Sequence, residues 1–442
     1  MYRTLLFAQL WCFLFLVSLN SSFSQSEAKL TLIESFPTGY RYSVRTAVQL
    51  AGQLTVPTGE GKSQVLAVSG ESTIEYDERI LPPLAQSPGV RTLRLYRTVQ
   101  MKRKVGDKIQ EASIRPEVRR LVILRQQQTE VPFSPDGPLT WGELDVVRTD
   151  VFTPALVGLL PDEPVRPGDR WTATNAAVQE LTDLEKVEKG KLVCEFLGYL
   201  ELAGRRHAHI QFAGVVEGVN EDGPNRQDLR GRLYFDLDSK HISYVSLDGT
   251  HTLLDANGKE VGSIRGQFTL TRQANVRPAA LADEVVRGLV VDPNAQNTSL
   301  LYDNPDIGIR FIYPRRWRVG MVRNQQVALE EPGGSSLLIT AERPEQVPTP
   351  AAYLNESEAF IKQQGKVIAR TPPRRLRAAP HELDTFTLEV DFAGRRLTLD
   401  YYVVRSPEVA ATIAVQLTPN SVAVLRPEVE QIARSLGPAS RR

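Results

Sequence analysis

The sequence predicts a mainly β protein with an additional α+β part towards its C-terminal end. Three observations support this fold class. Residues 29–271 consist of strand-like runs separated by turn residues, residues 275–299 interrupt that pattern, and the remainder places two helical stretches among further strands. We therefore expect an antiparallel β meander or half-barrel with a short bridging helix, followed by an α/β/α sandwich with an antiparallel sheet.

Residues 1–24 have the pattern of an export signal. Arg3 supplies the positive charge, residues 5–19 are apolar, and Ser22-Phe23-Ser24 offers small residues for cleavage. The apolar run is too short, and too polar after its end, to predict a membrane span. We expect an exported protein, located in the periplasm or outside the cell, with no transmembrane segment in its mature chain.

Composition excludes several classes of function. The chain has 442 residues with 53 basic and 52 acidic side chains, and Arg3 is the one charge within the signal, so the mature chain is balanced. A balanced chain has no strong attraction for nucleic acid or for an anionic membrane. Cys194 is the one cysteine of the mature chain, so no intramolecular disulfide forms. Stability must come from the hydrophobic cores.

Residues 29–151 read as strands. Residues 40–50 and 64–76 are extended runs, and residues 92–101 alternate apolar and polar side chains, as a half-buried strand does. The segment Glu117–Gln128 contains four consecutive apolar residues, Leu121–Leu124, which indicates burial on both faces. Trp141 restarts ordered structure after a turn-rich loop.

The stretch from Phe152 to Trp171 reads as a bridge between two sets of strands. Pro154 suits the first turn of a short helix, in which Leu156, Leu159 and Leu160 form an apolar stripe. Three prolines then end the helix, and a Gly-Asp turn leads into Trp171. We expect the leucines and Trp171 to pack into the core.

A meander follows the bridge. Its turns carry hairpin chemistry, and Asn257-Gly258 is the strongest of these signals. The predicted strands are 192–202, 205–216, 229–237, 242–254 and 261–271.

The sequence divides into four parts: a signal (1–24), a β-rich domain (27–274), a linker (275–299) and an α+β domain (300–437). Residues 278–289 allow a brief helix within the linker. In the last domain we expect a helix over 351–364 that buries Leu354, Phe360 and Ile361. A closing helix is expected to begin at Pro427 and to bury Val429, Ile432 and Leu436.

The C-terminal part resembles the PsbP-like superfamily. The resemblance rests on Tyr302, Asp306-x-Gly308-x-x-Phe311-x-Tyr313-Pro314-x-x-Trp317, a central helix, antiparallel strands and a closing helix, over roughly 140 residues. It implies an α/β/α sandwich used as an accessory or protein-binding module, and the motif contains no catalytic residues. The turn Pro164-x-x-Pro167-Gly168-Asp169-x-Trp171 and its meander are similar to exported bacterial β domains, including the lipoprotein-carrier half-barrel.

Two histidines are candidates for metal binding. His207 and His209 lie on one face of a strand, at a spacing that suits a metal pair, but a third ligand is needed. His241 is expected to close a turn with positive φ, and the face of His251 depends on the strand register. We interpret His207 and His209 as members of a solvated polar face, and we expect no bound metal.

Signals for catalysis are weak throughout. Cys194 is surrounded by apolar residues, which is typical of a buried thiol that acts as a small hydrophobe. Ser69 and Ser72 lie inside a strand-like run and not in a nucleophile elbow. Acidic pairs such as Asp236/Asp238 and Glu330/Glu331 occur at turns or strand ends, where such pairs are usually solvated.

Arg374, Arg375 and Arg377 form the sharpest charge cluster. They could contact a phosphate, a polyanion or an acidic partner, but they have no interleaved aromatic residues, so a solvated loop is the simpler reading.

We therefore predict a non-catalytic envelope protein, without cofactor, metal or catalytic residues, that binds a protein or polymer partner. A carrier of a lipophilic ligand in the β half-barrel is the first alternative, and an enzyme of unknown class is the second. A deep apolar cavity under residues 152–160 would favour the carrier, and a filled sheet would favour the binding module.

Overall fold

The computed structural model describes residues 29–59, 62–84, 89–126, 129–148, 150–221, 223–377 and 381–440. The expected export signal lies outside these residues. The described chain is mostly β, as predicted from the sequence. Within it, no helix combines the length and the apolar character that crossing a membrane requires.

The first part of the chain contributes fourteen strands. Their bounds are β1 (Arg41–Gly59), β2 (Lys62–Ile80), β3 (Arg91–Val105), β4 (Lys108–Ala112), β5 (Arg120–Gln126), β6 (Thr129–Phe133), β7 (Leu139–Thr140), β8 (Arg170–Thr172), β9 (Lys186–Gly190), β10 (Val193–Leu202), β11 (Arg205–Asn220), β12 (Gly223–Asp236), β13 (His241–Leu254) and β14 (Glu260–Ala274). The five strands predicted for the meander are confirmed as β10–β14.

Thirteen strands of the described chain form one large sheet. Its order is β6-β5-β3-β2-β1-β14-β13-β12-β11-β10-β8, with β4 beside β3 and β9 beside β11. Hairpins dominate this order, because each strand pairs antiparallel with a neighbour close in sequence. The exception is the pairing between β14 and β1, which are far apart in sequence. It extends over thirteen residues and joins the two halves of the sheet.

The bridge predicted over Phe152–Trp171 contains a 3-10 helix (Thr153–Leu159), and two helices that were not predicted flank it, α1 (Trp141–Arg148) and α2 (Asn175–Thr182). The name bridge is used below for all of residues 141–182. Both ends of the sheet contact it: Arg125 of β5 pairs with Glu180 of α2, and the Trp171 indole on β8 donates to the Leu159 carbonyl at 2.9 Å. The sheet therefore curves around the bridge as a half-barrel.

The packing predicted for the bridge is confirmed for its leucines. Leu156 and Leu159 are fully buried, and Leu160 is nearly so. They belong to one cluster of buried side chains together with Tyr42 and Tyr76 of the sheet. Trp171 is half-buried at the edge of this cluster, so it lies less deep than expected. The space between the sheet and the 3-10 helix is filled with side chains.

The second part of the chain contributes two further helices and eleven strands after a short linker helix. The bounds are α3 (Asp283–Arg287), β15 (Leu300–Asn304), β16 (Ile309–Tyr313), β17 (Arg318–Arg323), β18 (Gln326–Glu330), β19 (Ser336–Glu342), α4 (Pro350–Gln364), β20 (Lys366–Arg370), β21 (Arg374–Leu376), β22 (Glu382–Phe392), β23 (Arg395–Arg405), β24 (Ala410–Leu417), α5 (Val422–Ser435) and β25 (Gly437–Pro438).

Eight of these strands form an antiparallel sheet in the order β17-β18-β19-β24-β23-β22-β20, with β21 beside β22. Its two faces are covered by different helices. Leu354 and Ile361 of α4 pack with Tyr401, whereas Val429 of α5 packs with the adjacent, oppositely directed Tyr402. This is the α/β/α arrangement that the sequence predicts.

Two details of these helices differ from the predictions. Phe360 is 57% exposed, because the buried stripe of α4 runs through Leu354, Ser357 and Ile361 and leaves Phe360 beside it. Helix α5 begins at Val422, so Pro427 lies inside it. Buried Leu425 extends the apolar face of α5 one turn further towards its N-terminus than expected.

A small sheet connects the two parts of the chain. Its order is β25-β16-β15-β7, in which β15 pairs in parallel with β7 from the first part. Arg315 also donates to the carbonyl oxygens of Thr298 and Pro132. Residues 300–313 thus extend neither large sheet. The division into domains at 275–299 stays a prediction.

Limited proteolysis tests this division. We expect the first cut within residues 275–299, because α3 buries no residue and most of the segment is exposed or half-buried, with only Leu281 and Ser299 buried. The two fragments should remain associated on gel filtration through the β7–β15 pairing. Early cleavage inside β22 or β23, with the 275–299 segment intact, would contradict the division.

Candidate functional site

Arg94 is the centre of an ion cluster buried beneath the bridge. Its side chain, like that of its partner Glu78, is fully shielded from solvent. Its Nε donates to Glu78 Oε1 at 2.7 Å, and its Nη1 donates to Asp150 Oδ2 at 3.0 Å. Nη2 donates to the Val151 carbonyl at 3.2 Å. One guanidinium therefore holds the sheet and the start of the bridge together.

Hydroxyl groups complete the coordination of this cluster. The Tyr96 hydroxyl donates to Asp150, and the Thr153 hydroxyl donates to the second oxygen of Glu78 at 3.3 Å. Tyr42 and Thr153 share a hydrogen bond of 2.8 Å, and the Arg94 guanidinium lies over the ring of Tyr76. A buried charge needs such partners, since leaving it unpaired is costly.

A second buried ion pair fixes the N-terminal segment. Glu34 pairs with Arg272 of β14, and its other oxygen accepts a hydrogen bond from the Ile242 amide at 2.9 Å. The Arg272 guanidinium lies over the ring of Tyr42 at 4.6 Å. Burial is the main cause that raises the pKa of Glu34. This pair holds residues 29–40 against the end of the meander.

The charged members of both clusters are buried, and they line neither of the surface grooves of about 590 and 620 Å³, whereas Tyr96 reaches a third groove of about 300 Å³. The two clusters explain how the described chain, whose cysteine Cys194 is free, fixes its bridge and its N-terminal segment in place.

The histidines have different surroundings in the structure. His207 is buried, which contradicts the solvated face expected for it, and its Nδ1 lies 3.0 Å from the Arg205 carbonyl. His209 lies further along β11, with its ring edge-on to Tyr234. The positive φ belongs to Lys240 and not to His241, which begins β13 and is buried beside Arg272. Burial lowers the pKa of His241 to about 4.

Among the described residues, no group of three acidic, histidine or cysteine side chains is arranged to hold a metal ion. His207 and Asp236 do face each other across β11 and β12. The Asp236 carboxylate, however, is occupied by Arg205 and by the amides of Asp238 and Ser239. This network closes the β12–β13 turn.

Cys194 is buried, as predicted from its apolar neighbours. Desolvation raises the pKa of its thiol to about 12, so the reactive thiolate is not formed at neutral pH.

The arginines of residues 374–377 belong to a short strand at a sheet edge. Arg375 pairs with Asp384 and Glu382 of the neighbouring strand, while Arg374 and Arg377 are exposed. The cluster is therefore partly neutralised by its own sheet.

A groove of about 620 Å³ opens on the outer face of the large sheet, the face turned away from the core. We call it the outer groove. Side chains of β12 alternate across the sheet: Leu229 and Leu233 enter the core, so Arg230, Arg232 and Tyr234 point outwards. The polar residues that line it include Glu195, His209, Gln211, Arg230, Arg232 and Asp248.

The charges of the outer groove are only partly paired. Arg170 and Glu195 at its edge form an ion pair of 2.8 Å. Arg230 and Arg232 make no ion pair with any residue that the structure describes. Burial and the charge of Arg232 lower the pKa of His209, which favours its neutral ring.

Aromatic rings border the outer groove on one side. The half-exposed rings of Tyr234 and Tyr244 stack with centroids 5.1 Å apart, and His209 meets Tyr234 edge-on. Arg230 and Arg232 lie beside these stacked tyrosines, and Arg232 is hydrogen-bonded to Tyr234. The surface is suited to polar, anionic or planar groups.

A second feature lies on the inner face, beyond the bridge. There the long strands carry half-buried apolar residues, which we call the inner strip: Val48, Leu50, Leu54, Leu253 and Ile264. Glycines leave room for it, since a Cβ at Gly70 would meet the Leu50 side chain and one at Gly262 would meet Leu54. A groove of about 590 Å³ opens beside it, lined in part by Val48, Val99 and Met101.

The sequence reasoning did not identify either surface. For the outer groove a signal was present, because Arg226, Asp228, Arg230 and Arg232 alternate with smaller or apolar residues along one strand. Such alternation predicts a polar face, but the neighbouring strands that complete the groove follow only from the register.

Comparisons with known proteins give partial similarities. No family model matches the chain, and no curated protein matches it. Among solved structures, it is similar to the PsbP protein CyanoP from Synechocystis sp. PCC 6803, with 12% identity over 32% of this chain and 92% of that chain and a TM-score of 0.25. It is also similar to the Pseudomonas aeruginosa MucA/MucB complex, with 13% identity over 90% of this chain and 94% of that chain and a TM-score of 0.14.

A third similarity is to lipovitellin, with 9% identity over 55% of this chain and a TM-score of 0.31. The matched part spans about a quarter of lipovitellin, 26% of its length.

Proposed function

We propose that this protein is a non-catalytic binding module of the cell envelope, and that the outer groove receives a protein or polymer partner. The observation that carries this proposal is the pair of arginines, Arg230 and Arg232, which lack ion-pair partners in the described chain and line an open groove beside stacked tyrosines. Arginine binds carboxylate or phosphate groups through two parallel hydrogen bonds, and tyrosine is enriched at protein interfaces.

The fold supports this role by making the groove rigid. The strands beneath it pair along their length, with fourteen residue pairs between β11 and β12 and twelve between β12 and β13, where one bulge at Tyr234/Phe235 interrupts the register. Their other face is packed into the core through residues such as Leu233 and Val245. A preformed surface loses little conformational entropy on binding, and this favours recognition.

The positions of the candidate reactive residues support a non-catalytic role. The Cys194 thiol is buried and its pKa is raised to about 12. His207 and His241 are enclosed at the end of the meander, and Glu78 and Asp150 are both bonded to Arg94 beneath the bridge, away from solvent. Catalysis requires such groups to converge on a cleft where a substrate can reach them.

A carrier of a lipophilic ligand is a second candidate, and the inner strip favours it. The strip follows β1 from Val48 to Leu54, roughly 20 Å at about 3.4 Å per strand residue. Its residues are half-buried and apolar, as a surface for an acyl chain is. The filled space under the 3-10 helix favours the binding module, because the cavity expected there for a carrier is occupied by Leu156 and Leu159.

Site-specific photo-crosslinking in the native envelope tests the proposal. A photoreactive residue at Ser246, in the outer groove, should give one dominant adduct. Exposed Gln53, on the outer face of β1, provides the control position and should give little. Equal labelling from both positions would contradict a specific groove.

Replacement of the two arginines should strongly reduce the yield of this adduct. We expect Arg230→Ala with Arg232→Ala to reduce crosslinking from Ser246 by at least about tenfold, since each lost charged hydrogen bond costs about 1.5–3 kcal/mol. The matched control is Arg265→Ala, an exposed arginine of β14 outside the groove lining. If the double variant retains the full adduct, the arginines do not hold the partner.

A further inference from the structure

Four carboxyl groups and two guanidinium groups meet beneath the bridge. We call this set the buried charge cluster, and each member comes from a different element or loop. Its members are Glu78 of β2, Arg94 of β3, Arg125 of β5, Glu130 of β6, Asp150 before the 3-10 helix and Glu180 of α2.

The charges of this cluster do not balance. Two guanidinium groups face four carboxyl groups, so full ionisation would leave two negative charges without compensation. Arg94 serves Glu78 and Asp150, and Arg125 serves Glu180, whose other oxygen accepts a hydrogen bond from the Phe152 amide. Glu130 is left without a cation of its own. One of its oxygens is shielded from solvent and has no hydrogen-bond partner among the described residues.

We propose that the buried charge cluster is a proton-binding site, in which Glu130 and Asp150 retain a proton at neutral pH, and that loss of this proton weakens the attachment of residues 150–153 to the sheet. The proposal concerns the response of the fold to pH, so it goes beyond the proposed function and does not depend on it.

The electrostatic surroundings agree with this assignment. Burial, which outweighs the attraction of Arg94, raises the pKa of Glu130 to about 8 and that of Asp150 to about 7. The negative charge of Glu180 also raises the pKa of Glu130, and the negative charge of Glu78 also raises the pKa of Asp150. The two carboxyl groups repel each other as well, so removing a proton from one favours its retention by the other.

The remaining groups that face the cluster do not supply the missing positive charge. Tyr42, Tyr76 and Tyr96 are buried phenols whose pKa values are raised well above the usual value, so they stay neutral. Thr153 contributes a hydroxyl. Excess negative charge in the cluster is therefore relieved by protonation or by separating the elements.

The sign of the pH effect follows from these shifts. A carboxyl group whose pKa is higher in the folded protein stabilises the fold fully below its unfolded pKa, and this contribution is lost as the pH rises through the folded pKa. For Glu130 and Asp150 the loss extends from about pH 4 to about pH 8. The protein should therefore become less stable as the pH rises through neutrality.

Urea unfolding at about pH 6.5 and about pH 8 measures this effect. The titration of His241, whose pKa is lowered to about 4 in the folded protein, and that of Cys194, whose pKa is raised to about 12, are common to the wild type and Glu130→Gln, so they cancel in the comparison. Between these two pH values the equilibrium constant for unfolding rises by some factor in each protein. This factor should be about ten times larger for the wild type than for Glu130→Gln, whose side chain cannot ionise. Glu260→Gln, at an exposed position, should behave as the wild type does.

Infrared spectroscopy of the wild type provides a test that needs no variant. The folded protein at pH 7 should show the carbonyl band of a protonated carboxyl group, and this band should disappear by about pH 9. Hydrogen exchange at the Val151 and Phe152 amides should accelerate over the same range, because their acceptors belong to the cluster. Absence of the band at pH 7, or equal pH dependence in the wild type and Glu130→Gln, would overturn the proposal.

Discussion

Replacement of Arg94 by methionine should lower the free energy of unfolding by about 3–5 kcal/mol. The substitution keeps an unbranched chain of similar length but leaves Glu78 and Asp150 buried without their cation. It also removes the donor to the Val151 carbonyl, so the start of the bridge loses its attachment to β3. Chemical denaturation of the two proteins measures the difference.

A matched control separates the buried charge from arginine in general. Arg103 lies on the same strand, is exposed, and bonds only to Gln110 among the described residues. Arg103→Met should change the free energy of unfolding by less than about 1 kcal/mol. Equal effects of the two substitutions would show that the buried cluster does not hold the bridge.

Replacement of Trp317 by alanine should cost about 3–5 kcal/mol, because a large, almost fully buried side chain leaves a cavity when it is removed. The Trp317 indole also donates to Glu428 of α5 at 3.1 Å, and that bond is lost. Trp317 thus links helix α5 to the segment that follows β16.

Trp141 provides the comparison within the same chain. It is half-exposed at the start of α1, so Trp141→Ala should cost no more than about 1 kcal/mol. Thermal unfolding followed by circular dichroism compares the two variants. A melting temperature that Trp317→Ala leaves unchanged would contradict the assigned core.

The meander was predictable because its signals are local. Alternation of apolar and polar residues specifies a strand and its faces, and a turn such as Asn257-Gly258 specifies the hairpin. Leu121–Leu124 likewise indicated a strand buried on both faces, and all four residues are buried.

The ion clusters were not predictable in the same way. Glu78 and Arg94 occupy inward positions of β2 and β3, next to the buried rings of Tyr76 and Tyr96. Asp150 comes from the bridge, 56 residues after Arg94. A charge at an inward position is a signal of pairing or function. Its partner depends on the curvature of the sheet and on where the bridge lies, and local sequence does not specify either.

The details that were wrong share a cause. Phe360, Pro427 and His241 were each assigned from one local preference: apolar character, suitability for a first helical turn, and tolerance of positive φ. The buried stripe of α4 passes through Ile361, which was also predicted, and leaves Phe360 outside it. Helix α5 begins at Val422, before Pro427, and Lys240 adopts the φ of 50° that was assigned to His241.

Native mass spectrometry of the protein purified from its own envelope tests the central claim most directly. We expect a defined complex with one partner that persists in the Arg265→Ala control and is lost in the Arg230→Ala, Arg232→Ala double variant. A retained lipophilic molecule that is unaffected by the double variant, and displaced by replacing Leu50 and Leu54 with polar residues, would instead place binding on the inner strip. That result, or a complex with the same stability in the wild type and the double variant, would contradict the outer groove as the binding surface.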